Sequence, residues 1–329
     1  MNKQTRRLLL ASLIIIFLLA APAVLFYAWG YSFDWQNKKP VITGGIYLES
    51  IPKKAEIYLD GRLKNHTPRL LKRLVPKEYQ IKLIKEGYYS WQKKLKVESQ
   101  LVTEARNILL LPQAPEIELI DDNLTENFSL QSLFPKKEKE IFELQEPSYI
   151  LYKSNPERTA QTQISVAPLP LNQTYQIIVS PNQNLAALSE QGKLYLFNPE
   201  KKIFEELAEN IKGAQFSDDD KKILYFSQSE IWVAYLKDNL IQPYKKAGEK
   251  ELITRLSQEI KQAIWYPKTN EHIILAVGQV IKIIELDNRD IRNITDFIET
   301  QASQIAYDAK TEKLYFVEGE KLYNVSLKE

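Results

Sequence analysis

Cysteine is absent from the 329-residue chain, and only two histidines occur, His66 and His272. No disulfide, thiolate nucleophile or cysteine-ligated metal centre can form, and a multi-histidine metal site is excluded as well. Glycine is scarce, with ten residues, none in a GxxxxGK(S/T), GxGxxG or GxSxG arrangement. Phosphate-cradling loops and the nucleophile elbow are therefore unsupported. A Ser-His-Asp triad survives arithmetically, but no spacing marks one. The expectation is a non-catalytic protein with no cofactor and no metal.

Charge is nearly balanced in sum, at +2, but it is segregated along the chain. Residues 1–43 carry +4, residues 44–111 carry +7, and residues 112–329 carry −9. A nucleic-acid partner is disfavoured, because phosphate would be repelled by the largest, acidic segment.

Leu8 to Phe33 holds no charged residue, and its apolar part, Leu8 to Gly30, is 23 residues long. As a helix this reaches about 35 Å, enough for a hydrocarbon core of about 30 Å. Lys3, Arg6 and Arg7 precede it, which argues for a cytoplasmic N-terminus. Tyr27, Trp29, Tyr31 and Trp35 cluster at the far end, as an interfacial aromatic belt would. Two alternatives are a buried soluble helix and a cleaved signal peptide, for which Ala21-Pro22-Ala23 resembles a processing site. Apolar character continues past that point to Trp29, which favours an uncleaved anchor. The expected location is the plasma membrane, single-pass, with the bulk of the chain extracytoplasmic. Residues 1–35 are read as cytoplasmic tip and anchor, and residues 36–43 as a polar linker.

Residues 44–111 alternate with period two, as half-buried strands do. Ile46/Leu48, Ile57/Leu59, Tyr79/Ile81/Leu83 and Leu95/Val97 share one face each, and Asp60-Gly61 suits a hairpin turn. The pattern predicts a small β-sandwich of six or seven strands. Its motifs carry a resemblance. Ile51-Pro52-Lys53-Lys54-Ala55-Glu56-Ile57-Tyr58-Leu59-Asp60-Gly61, Thr67-Pro68, Pro76-Lys77-Glu78-Tyr79 and Glu86-Gly87-Tyr88 are similar to the PEGA domain. Lys53-Lys54 departs from the family's small or acidic pair. Asn65 replaces glycine before x-Thr-Pro, where its tolerance of left-handed backbone is expected to keep the turn. Lys77 replaces glycine after Pro76. The resemblance implies an extracytoplasmic, non-catalytic β module of envelope proteins and supplies no catalytic residue. The segment's 14 basic residues suit anionic lipid or wall polymer, or simply a solvated face. Tyr88, Tyr89 and Trp91 read either as a sugar-stacking platform or as core residues.

Residues 112–329 contain a repeated unit, a polar turn followed by an apolar strand. Phe134, Val179, Phe216, Trp265 and Ala306 anchor the copies at spacings of 45, 37, 49 and 41. About 40–45 residues is the period of a four-stranded propeller blade. A further strand follows 16 or 17 residues beyond each anchor, centred on Ile150, Tyr195, Trp232, Lys282 and Tyr323. The last copy ends on its third strand, so Glu116 to Ile120 is expected to supply the fourth and close a five-bladed ring. The Ser-Pro-Asn and Ser-Asp-Asp turns resemble WD40-like or TolB-type repeats, which implies a β-propeller. The fold class is all-β: a PEGA-like β-sandwich and a five-bladed β-propeller behind one transmembrane helix.

Asp218-Asp219-Asp220 lacks the ligand spacing of an EF-hand and reads as an acidic turn. His66 and His272 read as structural or solvated, and Lys245-Lys246 with Glu249-Lys250-Glu251 as a mixed-charge loop. The candidate binding residues are Glu190, Glu230, Glu318 and Glu320, on the loops joining second and third strands of successive blades. Such a rim suits a polar or cationic partner. The expected function is a membrane-anchored envelope scaffold or binding protein, its propeller face recognising an envelope protein or cell-wall polymer. The alternatives are a sensor or assembly accessory of a membrane complex, and a hydrolase using paired carboxylates.

Overall fold

A computed structural model describes residues 3–35, 37–125, 127–134 and 140–327. It divides into two compact units, Met1–Leu110 with Arg289–Ile291, and Leu111–Asn288 with Arg292–Glu329.

The first unit opens on helix α1 (Lys3–Ala28), long and apolar enough to cross a membrane and with no buried residue. A hairpin of β1 (Tyr31–Asp34) and β2 (Lys39–Ile42) follows at once. The segment read as linker is thus largely paired backbone. Seven strands then build the sandwich: β3 (Gly44–Ile51), β4 (Glu56–Leu59), β5 (Arg62–His66), β6 (Arg69–Leu74), β7 (Glu78–Ile84), β8 (Trp91–Lys96) and β9 (Val102–Leu109). One sheet runs β6-β3-β9, with β3 parallel to β9, and the other β5-β4-β7-β8. The period-two residues form its core, Ile46, Leu48, Ile57, Ile81 and Leu83 being fully buried.

The PEGA-like motifs have structural causes. Asp60 and Gly61 turn the β4–β5 hairpin at φ +49° and +77°, as a tight hairpin requires. The Thr67 hydroxyl accepts Ala55 N–H at 3.0 Å and lies 2.6 Å from Ser50 Oγ, tying three segments together. Asn65 does not occupy a left-handed turn. It sits within β5 opposite Ile57, so the expectation drawn from its missing glycine is corrected. Lys77 also avoids positive φ, and its ammonium pairs with Asp60 at 3.0 Å. Tyr88 and Trp91 are buried and Tyr89 is half exposed, which removes the stacking platform.

The second unit is a five-bladed propeller. It begins with β10 (Ile117–Asp121) and a 3-10 turn (Leu130–Leu133). Blade 1 has β11 (Ile141–Gln145), β12 (Ile150–Ser154) and β13 (Gln161–Gln163). Blade 2 has β14 (Tyr175–Val179), β15 (Leu185–Ser189), β16 (Leu194–Asn198) and β17 (Ile203–Ala208). Blade 3 has β18 (Gly213–Phe216), β19 (Lys222–Phe226), β20 (Glu230–Tyr235) and β21 (Lys250–Arg255). Blade 4 has β22 (Ile260–Trp265), β23 (His272–Val277), β24 (Val280–Glu285) and β25 (Ile294–Glu299). Blade 5 has β26 (Gln304–Asp308), β27 (Lys313–Glu318) and β28 (Lys321–Ser326), and β10 completes it in the order β10-β28-β27-β26.

The expected strand at Phe134 is not formed. Leu130 N–H instead donates to Gln304 Oε1 at 2.7 Å and Gln304 Nε2 donates to Phe128 O at 2.9 Å. A side chain of blade 5 therefore satisfies backbone groups that a ladder would otherwise need. Phe134 packs edge-on against Tyr315, and its companions Pro135, Lys136 and Lys137 lie outside the described residues.

The closing ladder pairs Ile117 with Val325, Glu118 with Asn324 and Leu119 with Tyr323. Ile117 and Leu119 are 47% and 48% exposed, so this outermost strand is held by its hydrogen bonds rather than by burial. Glu118 Oε2 accepts Lys313 Nζ at 2.9 Å and Asn324 Nδ2 at 3.1 Å. Those bonds, Lys313 first, hold its carboxyl below the ordinary value of 4.5. N–H groups on an edge strand alternate between partner and solvent, so a Glu118→Pro/Leu119→Pro variant loses a ladder bond in either register. We expect its first proteolytic cut within residues 313–327; a wild-type cleavage pattern there would refute the closure. A carboxyl lowered on folding stabilises above its unfolded value and ceases to do so as pH falls through the folded one. Amide exchange at Tyr323 and Val325 should therefore accelerate as pH drops below about 4.5, after correction for intrinsic rates.

Candidate functional site

The inner strands of blades 3, 4 and 5 are joined by one repeated device. Gln215 Oε1 on β18 accepts Trp265 N–H at 3.0 Å, and Trp265 Nε1 returns a bond to Gln215 O at 3.0 Å. Gln262 Oε1 on β22 accepts Ile305 N–H at 2.7 Å. Gln304 on β26 continues the series to Leu130 and Phe128. Each inner strand leaves an N–H with no strand neighbour at the ring axis. An amide reaching from the preceding blade supplies the acceptor.

Two of these glutamines, Gln215 and Gln262, also line cavities beside the inner strands. One cavity of about 480 Å³ touches Gln131, Gln215 and Gln262 beside Phe134, Trp265 and Tyr307. A second of about 440 Å³ shares Gln131, Gln215 and Gln262 and adds Gln176. Lys212, before β18, and Lys261, at the start of β22, border the second cavity. Asp218, after β18, borders both. The lining offers donors and acceptors at once, which suits hydroxyl or amide ligands better than a bare ion. The sequence reading missed this lining. Its signal was present in glutamines one to three residues ahead of the Val179, Phe216, Trp265 and Ala306 anchors.

Of the four candidate glutamates, Glu190 and Glu320 lie in b–c turns, while Glu230 and Glu318 are terminal residues of the strands flanking them. Glu190 lies exposed between β15 and β16. Glu230 opens β20 and is engaged: Trp232 Nε1 donates to it at 2.8 Å and Arg255 Nε at 2.7 Å. Those two contacts hold its carboxyl below the usual carboxylate range. Glu318 ends β27 and accepts Gln301 N–H at 2.8 Å, while Glu320 is exposed in the next turn. The structure brings Glu318 and Glu320 into one turn and leaves Glu190 and Glu230 on separate blades. Lys212 pairs with Glu259 and Lys193 with Glu206 and Glu209, so this rim is mixed in charge rather than simply acidic.

The opposite loops are structural where they are polar. Asp220 is fully buried and accepts Asn182 Nδ2 from the equivalent turn of blade 2. Asp219 Oδ1 accepts Ser217 Oγ at 2.6 Å, and Asp218 N–H donates to Asn270 of blade 4 at 3.2 Å. The acidic run is a clamp between turns, and among the described residues no group of three or more potential ligands is placed to hold a metal ion. His272 is buried, its Nδ1 3.0 Å from Thr269 Oγ1, and His66 is exposed at the end of β5. Lys222, 2% exposed, meets Glu271 at 2.6 Å across blades 3 and 4. Burial pushes the Glu271 carboxyl up, and the ammonium opposes that rise. In the loop between β20 and β21, Lys245 pairs with Glu251 at 3.0 Å. Its tip is apolar, with Leu240 80% and Tyr244 67% exposed, a feature hidden by the loop's charged composition.

The Gln304 contacts are testable directly. Gln304→Leu removes an acceptor and a donor from partly buried backbone groups, a loss of about 1–3 kcal/mol. We expect a lower melting temperature and faster amide exchange at Leu130; unchanged exchange there would mean that the amide does not carry the junction.

No curated protein matches the chain. YCF48 from Cyanidioschyzon merolae is 10% identical over 86% of this chain and 98% of its own, with a TM-score of 0.42. The extracellular domain of a hybrid two-component system from B. thetaiotaomicron is 12% identical over 56% of this chain, at a TM-score of 0.40. The β-propeller domain of Swd1 from Myceliophteria thermophila is 9% identical over 54% of this chain, at a TM-score of 0.39. The chain spans 27% of the length of the two-component protein and 57% of that of Swd1. Residues 43–109 match the PEGA domain, so the chain contains a PEGA domain followed by a five-bladed β-propeller.

Proposed function

We propose that this is a membrane-anchored, extracytoplasmic and non-catalytic binding or scaffold protein of the cell envelope, whose propeller recognises a polar envelope protein or wall polymer. The observation that carries the reading is the glutamine lining of the inner cavities, which offers hydrogen-bond donors and acceptors to a polar partner. The state of the carboxylates supports it. A catalytic acid needs a raised value in an open site. Glu230 is lowered by its partners, and the raised Glu271 is committed to buried Lys222. A second reading, an accessory of a membrane protein complex, is favoured by exposed Leu240 and Tyr244, which suit a protein surface better than a glycan.

Orientation is tested by labelling. Ser148 is exposed between β11 and β12, and the chain has no native cysteine. A Ser148→Cys variant should react with a membrane-impermeant maleimide on cells whose plasma membrane is intact. Reaction only after lysis of that membrane would reverse the topology.

Recognition is tested at the exposed glutamates. Glu190→Arg/Glu320→Arg should lower the yield of native crosslinks to the partner while leaving the melting temperature within about 2 °C, because exposed surface charges contribute little to stability. Glu230→Arg should lower the melting temperature through loss of its Arg255 and Trp232 contacts. Unchanged crosslinks in the folded double variant would move the contact away from this rim.

A further inference from the structure

The PEGA domain carries a cationic groove at the margin of its core, where Leu59, Leu71 and Leu74 also pack inward, and the propeller reading does not use it. It is a cavity of about 570 Å³ between edge strands β5 and β6, lined by Lys64, Arg69 and Lys72 together with Leu59, Leu70 and Leu74. No carboxylate lines it. Lys64, Arg69 and Lys72 are exposed and form no ion pair among the described residues, unlike Lys77, Lys96 and Arg106 of the same domain. Three unneutralised cations above leucine side chains match a ligand with an anionic head and an apolar tail.

The strand that carries two of these cations also contacts the membrane helix. In the β3–β6 ladder Gly44 faces Leu74 and Gly45 faces Lys72, leaving Arg73 as an unpaired bulge at φ +60°. Arginine seldom adopts this left-handed backbone, and a bulge re-aims the side chain it carries. Gly45 permits the close approach, since a Cβ there would stand 2.9 Å from Leu71 O. The Arg73 guanidinium sits 3.3 Å from the centre of the Tyr27 ring and donates to the Tyr27 carbonyl in the last turn of α1. Lys72 is the adjacent residue, and Arg69 lies about 13 Å back along the strand. Exposed Trp29 lies at the same helix end, where interfacial aromatics belong. The polar interface of a bilayer is roughly 5–7 Å deep on each side of its hydrocarbon core, so the Arg73–Tyr27 contact brings the Lys72 end of β6 beside the end of the span.

We infer that the β5–β6 groove binds the phosphate headgroup of an anionic phospholipid in the leaflet that receives the outer end of α1. Lys64, Arg69 and Lys72 supply the positive charge that holds the headgroup along the groove, and Leu70 lies along the glycerol and upper acyl chain. Arg73 is a positioning residue that keeps the groove against the bilayer. The inference rests on α1 being a retained membrane anchor.

The test uses the full chain in detergent, titrated with phosphatidylglycerol or zwitterionic phosphatidylethanolamine and read by native mass spectrometry. Wild type should retain phosphatidylglycerol preferentially. Each cation removed should weaken that binding about fivefold, and Lys64→Gln/Arg69→Gln/Lys72→Gln roughly a hundredfold. Arg62→Gln, which removes a charge outside the groove, should bind as wild type. Thermal melts verify folding, and Lys72→Gln alone gives the fivefold readout if the triple variant is unstable. No preference in wild type, or full retention by the folded triple variant, overturns the assignment. Displacement of the lipid by soluble polyglycerol phosphate at equal phosphate concentration overturns it in favour of a wall polymer. Recovery of the cellular protein in soluble form without residues 1–23 overturns the anchor reading and the inference together. Membrane-bound, full-length protein indifferent to phosphatidylglycerol overturns the inference alone.

Discussion

The propeller depends on one pairing, that of β10 with β28. Within a blade, neighbouring strands are joined by short turns, and their ladders form locally. The pairing of Ile117 with Val325 instead joins residues more than two hundred positions apart. Without it, β28 would be an unpaired edge on the last blade, and the ring would have two loose ends. The same pairing fixes where the repeat begins, because a chain that starts a ring on its outermost strand must finish it on the third. Glu118 reinforces the joint from the side, reaching Lys313 and Asn324 on two different strands of blade 5.

Closure leaves the inner edges to be satisfied. Five inner elements converge on the axis, and their outward N–H groups have no further strand to meet. Glutamine resolves this at three successive steps because its side chain both accepts and donates. Gln304 does both, and for that reason the first repeat can replace its inner strand by the turn Leu130–Leu133 without exposing unpaired backbone. The polar a–b turns perform the corresponding task at one end of the ring, Asn182 reaching Asp220 and Asn270 reaching Asp218 across neighbouring blades. Gln215 and Gln262 both join blades and line the cavities, so part of that lining is already committed to assembly.

Much of this architecture was legible in the sequence. Period-two alternation marked four of the seven sandwich strands, and constant spacing between anchors and third strands marked the blades. The missing fourth strand of the last copy pointed to Glu116–Ile120. Three things were not legible, each for a physical reason. The apolar run Ile117-Glu118-Leu119-Ile120 resembles a core strand, yet an outermost strand has no layer above it and stays half exposed. Phe134 has the sequence of an inner-strand anchor, but a side chain distant in sequence supplies its neighbours' hydrogen bonds. Glu230 looked like a free rim carboxylate because its partner, Arg255, is set by the register of β20 against β21, including a bulge between Ile231 and Trp232. Registers of that kind are fixed by packing, and a single sequence does not display them.

The charged pairs separate into those that hold blades together and those that stay in solvent. Lys222 and Glu271 meet out of solvent between two blades, so removing either would strand a buried charge. By contrast, Lys193 with Glu209 and Lys201 with Glu205 are solvent-exposed pairs, screened by water and contributing little to stability. Stability therefore places little constraint on most of the rim, and its residues can change with the partner. The rim's mixed signs argue in the same direction. A uniformly acidic rim would attract any basic polymer, whereas alternating pairs favour a ligand whose own charges are arranged to match, and charge arrangement selects partners more than it adds affinity. On the proposed binding reading, the glutamine lining would be the fixed part of a recognition surface, and exposed Glu190 and Glu320 the adjustable part.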